Sequence, residues 1–293
     1  RVAIQSFFLQ YKTWSGILKH FPCLRTAVIE QHYHHEGLLL ALKKSKVKSY
    51  EVQHGLISES DIFYVFPEQV RRIREKALFP DNILVYGEYW KNILLKGSEF
   101  GRENIMVAGD FRKKTESLTS GEEKKELSEF CAGQQVILIS SQTFMHEFYS
   151  GYATHLSKLL KEKHPKWRIL LKLHPNEKQE NYSSLTNISN IKITKSNISY
   201  LFTLCKIHIS VYSTTLFDAL EHELLNLSIQ YNAFLDYSQS IINDKIALPL
   251  AREEDPVLLY NNHKGRGERI AKETVFADVS LYKNEYKKLF SGA

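Results

Sequence analysis

The chain has 293 residues, 43% hydrophobic and 25% charged, an ordinary globular composition with length for one large or two medium domains, and no apolar run in it is long enough to span a bilayer. A net charge of +6, with a pI of about 9.0, favours anionic partners such as nucleotides, phospholipid headgroups or nucleic acid without choosing among them. Three scattered cysteines, Cys23, Cys131 and Cys205, fit a reducing cytosol better than a disulfide framework, no paired Cys/His spacing resembles a zinc site, and the opening Arg1-Val2-Ala3-Ile4-Gln5-Ser6 lacks the pattern of a signal peptide.

In chain order, residues 7–20 space their apolar side chains as an amphipathic helix, and 26–29 form a strand running into the polar stretch 30–37. A Leu- and Lys-rich helix over 38–45 precedes a strand over 48–53 that ends in His54-Gly55. A helix over 67–78 begins on proline, a favoured first position. The strand 82–87, the helix 89–96 and the strand 104–109 complete a first run of alternating elements. Such alternation with short links is the pattern of a parallel sheet covered on both faces. Residues 112–129 are charged and poor in β-formers, a linker or a surface helix between domains. The alternation then restarts with the strand 135–140, a long helix over 144–163 and the strand ending at Leu173-His174. A strand at 191–194, a short helix at 198–204, a strand at 207–212, a helix at 216–223 and a strand at 225–231 follow, before a charged tail that is helical near its end. The division expected is an N-terminal Rossmann-like domain over 1–114, with part of its sheet absent, a linker at 115–134, a second such domain over 135–260 and a helical tail over 261–293. Two doubly wound domains in series predict a ligand crevice between two sheets.

The stretch Trp167-Arg168-Ile169-Leu170-Leu171-Lys172-Leu173-His174-Pro175 reads as a buried strand opening abruptly into a loop. His174 precedes a proline and so stays extended, at the mouth of the sheet, where α/β folds bind ligands. Lys172, two residues back, points to the same face. A cation and an imidazole at that place suit a phosphate; the plainer alternative is a strand that ends in a polar residue. Ser213-Thr214-Thr215 lies at a strand-to-helix junction. Hydroxyls and free N–H groups there make an anion pocket, although Ser and Thr are also the preferred N-caps. Asp218, a turn further on, either holds ribose hydroxyls or favours the helix start. Ser140-Ser141-Gln142 is a third polar loop on the same rim, able to donate to phosphate or base, or an ordinary turn.

In the first half, His54 is placed to take a proton from an acceptor hydroxyl, and Glu30 is the competing general base. His32, His34 and His35 beside it read as a solvated loop rather than a metal site. The basic stretch 262–269 is a flexible turn that could touch phosphates. No Walker pattern and no Gly-x-Gly-x-x-Gly after a strand is present, which argues against a P-loop NTPase or a standard NAD domain.

Taken together, Gln53-His54-Gly55, Lys172-Leu173-His174-Pro175 and Ser210-Val211-Tyr212-Ser213-Thr214-Thr215-Leu216-Phe217-Asp218 resemble GT-B glycosyltransferases of bacterial surface-polysaccharide synthesis, in the group with a His-Pro and a Ser/Thr motif. That group includes sialyl- and polysialyltransferases, Kdo transferases of capsule and O-antigen assembly, and CDP-glycerol transferases of teichoic acid synthesis. Leu84-Val85-Tyr86-Gly87 and Ile105-Met106-Val107-Ala108-Gly109-Asp110 resemble the last strands of the first domain in that fold. The resemblance implies that His174, with Ser213 and Thr214, contacts the phosphate of a cytidine nucleotide; the nucleotide site expected from the rim as a whole adds Ser140, Gln142, Lys172, Pro175, Thr215 and Asp218. It implies a carboxylate or histidine base. The acidic pair plus glycine of the polysialyltransferases is replaced by Glu30-Gln31, which leaves the base open between Glu30 and His54.

The expected activity is therefore transfer of a sugar, of sialic acid or Kdo type, from a CMP-sugar to a saccharide or lipid-linked acceptor in bacterial surface-polysaccharide synthesis. No metal or other cofactor is expected, and no nucleic acid. The expected location is the cytoplasm, with room for peripheral contact at the inner membrane. Three alternatives stand beside it: a CDP-glycerol- or ribitol-type phosphotransferase, a nucleotide-sugar 2-epimerase-like enzyme sharing the fold, and a non-catalytic carbohydrate-binding module.

Overall fold

The computed structural model describes residues 2–71, 78–110, 119–263 and 272–278, together with 284 and 287. The chain divides into two compact units, one comprising Arg1–Lys114 and Ala271–Ala293, the other Thr115–Ile270. Each is built on its own parallel sheet.

In the first unit the strands β1 (Thr26–Ile29), β2 (Lys48–Val52), β3 (Asn82–Val85) and β4 (Ile105–Val107) lie side by side in chain order, all parallel. The winding never reverses within this sheet. Helix α1 (Val2–Leu18) packs on α2 (Glu36–Lys44), where Leu18, Ala41, Leu42 and Val47 are buried. The two helices approach through Gly37, where a Cβ would lie 2.5 Å from the Phe7 carbonyl oxygen. Short α3 (Glu68–Arg71) lies within the helix expected over 67–78, of which 72–77 fall outside the described residues. Helix α4 (Glu88–Gly97) buries Trp90, Ile93 and Leu94.

In the second unit α5 (Gly121–Cys131) is a helix, the second of the two readings left open for this stretch, linker or surface helix. The Ser120 hydroxyl caps it, accepting from the Glu123 N–H at 3.2 Å, and Leu127 is fully buried. A largely charged surface with one apolar stripe leaves linker and surface helix open until the surface that covers the stripe is known. The strands β5 (Gln135–Ser140), β6 (Trp167–Lys172), β7 (Ile191–Thr194), β8 (Ile207–Ser210), β9 (Leu225–Ile229) and β10 (Leu248–Leu250) form a parallel sheet of order β10-β9-β8-β5-β6-β7. The chain winds outward from β5 through β6 and β7, then returns to the other side of β5 and winds through β8, β9 and β10. The reversal lies between β5 and β8.

Both faces of this sheet are covered, so alternate residues of one strand enter different cores. Ile137 and Ile139 pack with Tyr149, Tyr152, Leu156 and Leu160 of α6 (His146–Lys163). Val136 and Leu138 pack with Leu127 and with Leu201 and Phe202 of α7 (Ile198–Leu204). After the short α8 (Thr214–Asp218), the helix α9 (Leu235–Asn243) and β10 lie where no regular element was expected. The Leu-Pro-Leu run of β10 hides its strand character, because proline is tolerated only where the ladder ends; β10 is indeed an edge strand.

Residues 261–263 close α10 (Pro256–His263) in the second unit, whereas α11 (Lys272–Val275) returns to the first. The expected tail over 261–293 is thus shared between the units. The Trp90 indole N–H donates to the Val275 carbonyl at 3.0 Å, and the Ala277 N–H donates to the Tyr86 carbonyl at 2.8 Å. Residues 264–269 of the basic turn lie outside the described residues, as do 112–118 of the expected linker.

Candidate functional site

The polar groups singled out in the second half meet at the carboxyl edge of the six-stranded sheet. The middle of β5 and the run Ile169–Leu171 of β6 are apolar, and both strands end on a polar residue, whereas β8 and β9 also bury His208 and Asn226 within the sheet. Ser140 ends β5 and pairs in register with Lys172, which ends β6; Lys172 pairs with Thr194, and Ser210 with Ser228. This row of polar residues caps two layers of isoleucine and leucine. The loops that leave β5 and β8 flank the point where strand order reverses, the usual ligand crevice of open α/β sheets.

His174 follows β6 and is half-buried. Its backbone N–H is shared between the Ser141 hydroxyl and the Glu177 carboxylate, both at 3.1 Å. Its ring Nδ1 accepts from the Asn176 N–H at 3.2 Å, which leaves Nε2 as the protonated nitrogen of the neutral ring. Burial lowers the His174 pKa; the Glu177 carboxylate opposes this and Lys172 adds to it. Lys172 is itself pushed down by burial and by Lys195, against Glu177, and its ammonium donates to the Leu173 carbonyl at 3.2 Å. Pro175 is exposed, with the Lys195 ammonium 3.4 Å from its carbonyl.

Glu177 is an organising group that the sequence did not announce. It is 6% exposed and accepts from the Tyr182 hydroxyl at 2.8 Å and from the Ser141 hydroxyl as well as from the His174 N–H. The signal was present: an acid three residues after an extended His-Pro can turn back onto the His N–H, as a capping residue does.

Ser140 and Gln142 are largely buried and committed to the protein. The Ser140 hydroxyl lies 2.8 Å from both His208 Nε2 and the Thr215 hydroxyl. The Gln142 amide donates to the Tyr212 carbonyl and accepts from the Tyr149 hydroxyl at 2.9 Å and the Tyr212 N–H at 3.2 Å. Ser213 is the N-cap of α8, its hydroxyl accepting from the Thr215 N–H at 3.2 Å. The Thr214 side chain is half-exposed and makes no hydrogen bond among the described residues. Asp218 is the last residue of α8 rather than one at its start.

Glu30 and His54 belong to the first unit. Glu30 is exposed just beyond β1. His54 follows β2, its Nε2 3.2 Å from the Tyr33 hydroxyl and its Nδ1 buried without a hydrogen-bond partner among the described residues. The histidines after Glu30 are not all solvated as expected. His32 is 3% exposed, its Nδ1 2.8 Å from the carboxylate of Glu51, which is wholly buried. Glu51 also accepts from the Tyr64 hydroxyl at 2.6 Å and the His32 N–H at 3.3 Å. A buried carboxylate in a strand is stable only with such partners, and the mixed composition of β2, Lys-Ser-Tyr-Glu-Val, did not mark Glu51 as its buried acid. Beside them lies a cavity of about 330 Å³ lined by His32, the stacked Tyr33 and Phe63, Glu36 and Phe79. Among the described residues no three His, Cys, Asp or Glu side chains group as metal ligands, and no helix is long and apolar enough to cross a membrane.

No protein-family model and no curated protein sequence matches this chain. Solved structures do. The UDP-GlcNAc 2-epimerase of Neisseria meningitidis bound to UDP-GlcNAc is 15% identical, with a TM-score of 0.63 over 97% of this chain and 81% of that one. A glycosyltransferase of Rickettsia africae is 16% identical, with a TM-score of 0.57 over 98% and 82%. S. aureus MnaA in complex with UDP is 12% identical, with a TM-score of 0.63 over 97% and 79%. The chain therefore has the two-unit, Rossmann-like fold of these GT-B-type proteins.

Proposed function

We propose that the chain is a nucleotide-sugar enzyme, in the first instance a glycosyltransferase, whose second unit holds a pyrimidine nucleotide at the carboxyl edge of its sheet. The observation that supports it is the placement of Lys172 and His174 at the end of β6, and of Ser213 and Thr214 after β8, along the carboxyl edge that holds the strand-order reversal, in a fold shared with solved structures that contain UDP or UDP-GlcNAc. When the bond between sugar and phosphate breaks, negative charge grows on the phosphate oxygen. Fixed donors aimed at that oxygen lower the barrier because they need no reorganisation. In this proposal His174 supplies a neutral Nε2–H and Lys172 a positive charge, so neutralisation is assigned to side chains rather than to a metal. Glu30 and His54 are the proton acceptors proposed for the acceptor hydroxyl.

The identity of the donor as a CMP-sugar of sialic acid or Kdo type rests on the motif resemblance alone, and the solved neighbours favour a second reading. In that reading the chain acts on a UDP-sugar as a 2-epimerase, without an acceptor. Melting curves with CMP, CDP, UMP, UDP and GDP identify the nucleotide, because a ligand bound only by the folded state raises stability. Product analysis on the matching nucleotide-sugar, with and without a saccharide acceptor, then separates transfer from epimerisation. His174→Ala is expected to melt within a few degrees of the parent and to lose about 10²- to 10³-fold in turnover. An unchanged rate in that variant removes His174 from the chemistry, and the absence of any nucleotide-induced shift removes the nucleotide assignment.

A further inference from the structure

Behind the rim, four side chains are linked into one chain of hydrogen bonds whose direction can be worked out from its buried end. Asn226 is 3% exposed. Its amide nitrogen donates to the Leu216 carbonyl at 2.6 Å and the Ile246 carbonyl at 2.9 Å. Carbonyls only accept, so the amide orientation is fixed by these two bonds. The remaining oxygen, Oδ1, lies 2.8 Å from His208 Nδ1, which must therefore carry the ring proton.

His208 is fully buried, faces the Phe202 ring edge-on at 5.2 Å, and is kept neutral by desolvation, which pushes its pKa down to about 4. A neutral ring protonated on Nδ1 has a lone pair on Nε2. That lone pair accepts from the Ser140 hydroxyl at 2.8 Å. Ser140 has a single proton and has now used it. Its 2.8 Å contact with Thr215 can form only if Thr215 donates.

We propose that Asn226, His208, Ser140 and Thr215 are a one-way positioning relay that turns the Ser140 and Thr215 hydroxyl protons inward, so that Thr214 rather than Thr215 donates to an anionic ligand at this rim. The ligand clause rests on the nucleotide assignment made above; the direction of the relay does not. What Thr215 keeps on its outer side are lone pairs, which repel a phosphate oxygen. The neighbouring Thr214 hydroxyl has its proton uncommitted within the described protein. Two hydroxyls that stand side by side in the Ser/Thr motif, Thr214 and Thr215, therefore have opposite polarity toward a ligand.

Two measurements test this separately. In protein labelled with ¹⁵N in its histidine rings, at pH 7, the His208 resonance, assigned by its loss in His208→Gln, should report a neutral ring with the proton on Nδ1. A proton on Nε2, or a charged ring, overturns the relay. In a UDP and CMP titration, Thr214→Val should bind the nucleotide about tenfold more weakly, the loss of one hydrogen bond to a charged oxygen, whereas Thr215→Val should stay within about twofold of the parent. Equal losses in the two variants overturn the proposal even if the tautomer is as expected. If the parent protein binds neither nucleotide, the nucleotide assignment and the ligand clause fall, and the ring-proton measurement still decides the relay.

Discussion

A histidine in this protein is defined by what holds its other nitrogen. His174, His208 and His32 each have one ring nitrogen committed to a neighbour: the Asn176 N–H, the Asn226 amide oxygen and the Glu51 carboxylate respectively. For His208 the consequence is a pH dependence with a definite sign. Its folded pKa of about 4 lies below the ordinary 6.5, so below pH 6.5 the unfolded chain takes up a proton that the folded one refuses. Stability contributed by the neutral ring is full above about pH 6.5 and is lost as pH falls toward 4, by about 3 kcal/mol over the window. Urea unfolding of the second unit at pH 7 and pH 4.5 should show this loss in the parent protein and a smaller one in His208→Gln. An equal acid loss in both would mean that another group carries it.

At the scale of elements, the same turn is built twice. The loop from β1 into α2 and the loop from β5 into α6 each place a residue in the left-handed region just before the helix: His34 at φ 71° and Phe144 at φ 66°. The helix-preceding residues match as well, His35 at φ −121° and Met145 at φ −119°. Phe144 is fully exposed, so its ring repays none of the backbone strain of about 1–2 kcal/mol that a side chain suffers there. Phe144→Gly is expected to leave stability unchanged or raise it by up to about 1 kcal/mol, because relief of strain competes with the extra freedom of an unfolded glycine; a loss above about 1 kcal/mol in thermal unfolding would show that the ring has contacts in solution. Gly87 behaves oppositely. A Cβ there would lie 2.3 Å from the Val275 carbonyl oxygen, so Gly87→Ala should release residues 272–278 from the first unit, with fast amide exchange at Ala277, whose N–H is bonded to Tyr86. Retained protection at Ala277 would show that the backbone adjusts at little cost.

At the scale of the whole molecule, two parallel sheets have different topologies and so different capacities. The first sheet runs β1 to β4 without reversal, and the second reverses between β5 and β8. Only a reversal parts two adjacent loops at the carboxyl edge and opens a crevice between them, which is why the nucleotide is assigned to the second unit. A nucleotide at a hundred times its dissociation constant should stabilise the protein by about 2.7 kcal/mol. Amide protection on adding UDP or CMP should then concentrate at residues 141–143, 174–177 and 211–216. Protection concentrated instead around His32, Tyr33 and Phe63 would place the nucleotide in the cavity of the first unit.

Local pattern was enough for most of the strands, because a short apolar run that ends in Ser, His or Gly carries its burial and its end within itself. The apolar layers of β5 and β6, the polar residues at their carboxyl ends and the extended His174-Pro175 could all be read in this way. Elements with a weak internal signal were harder: α5, with one buried leucine on an otherwise charged helix, stayed open between linker and surface helix, and β10, with a proline in its middle, was not expected at all. The sequence alone determined that this is an α/β chain of two halves with polar groups at strand ends. The tertiary structure alone decided the strand order that reverses in one half, the return of 272–278 to the first unit, and the burial of Glu51, Glu177 and His208 among specific partners. The physical reason is range. Periodicity is a property of neighbours in the chain, whereas strand order and the partner of a buried proton depend on residues far apart in sequence, such as His208 and Ser140, 68 positions apart.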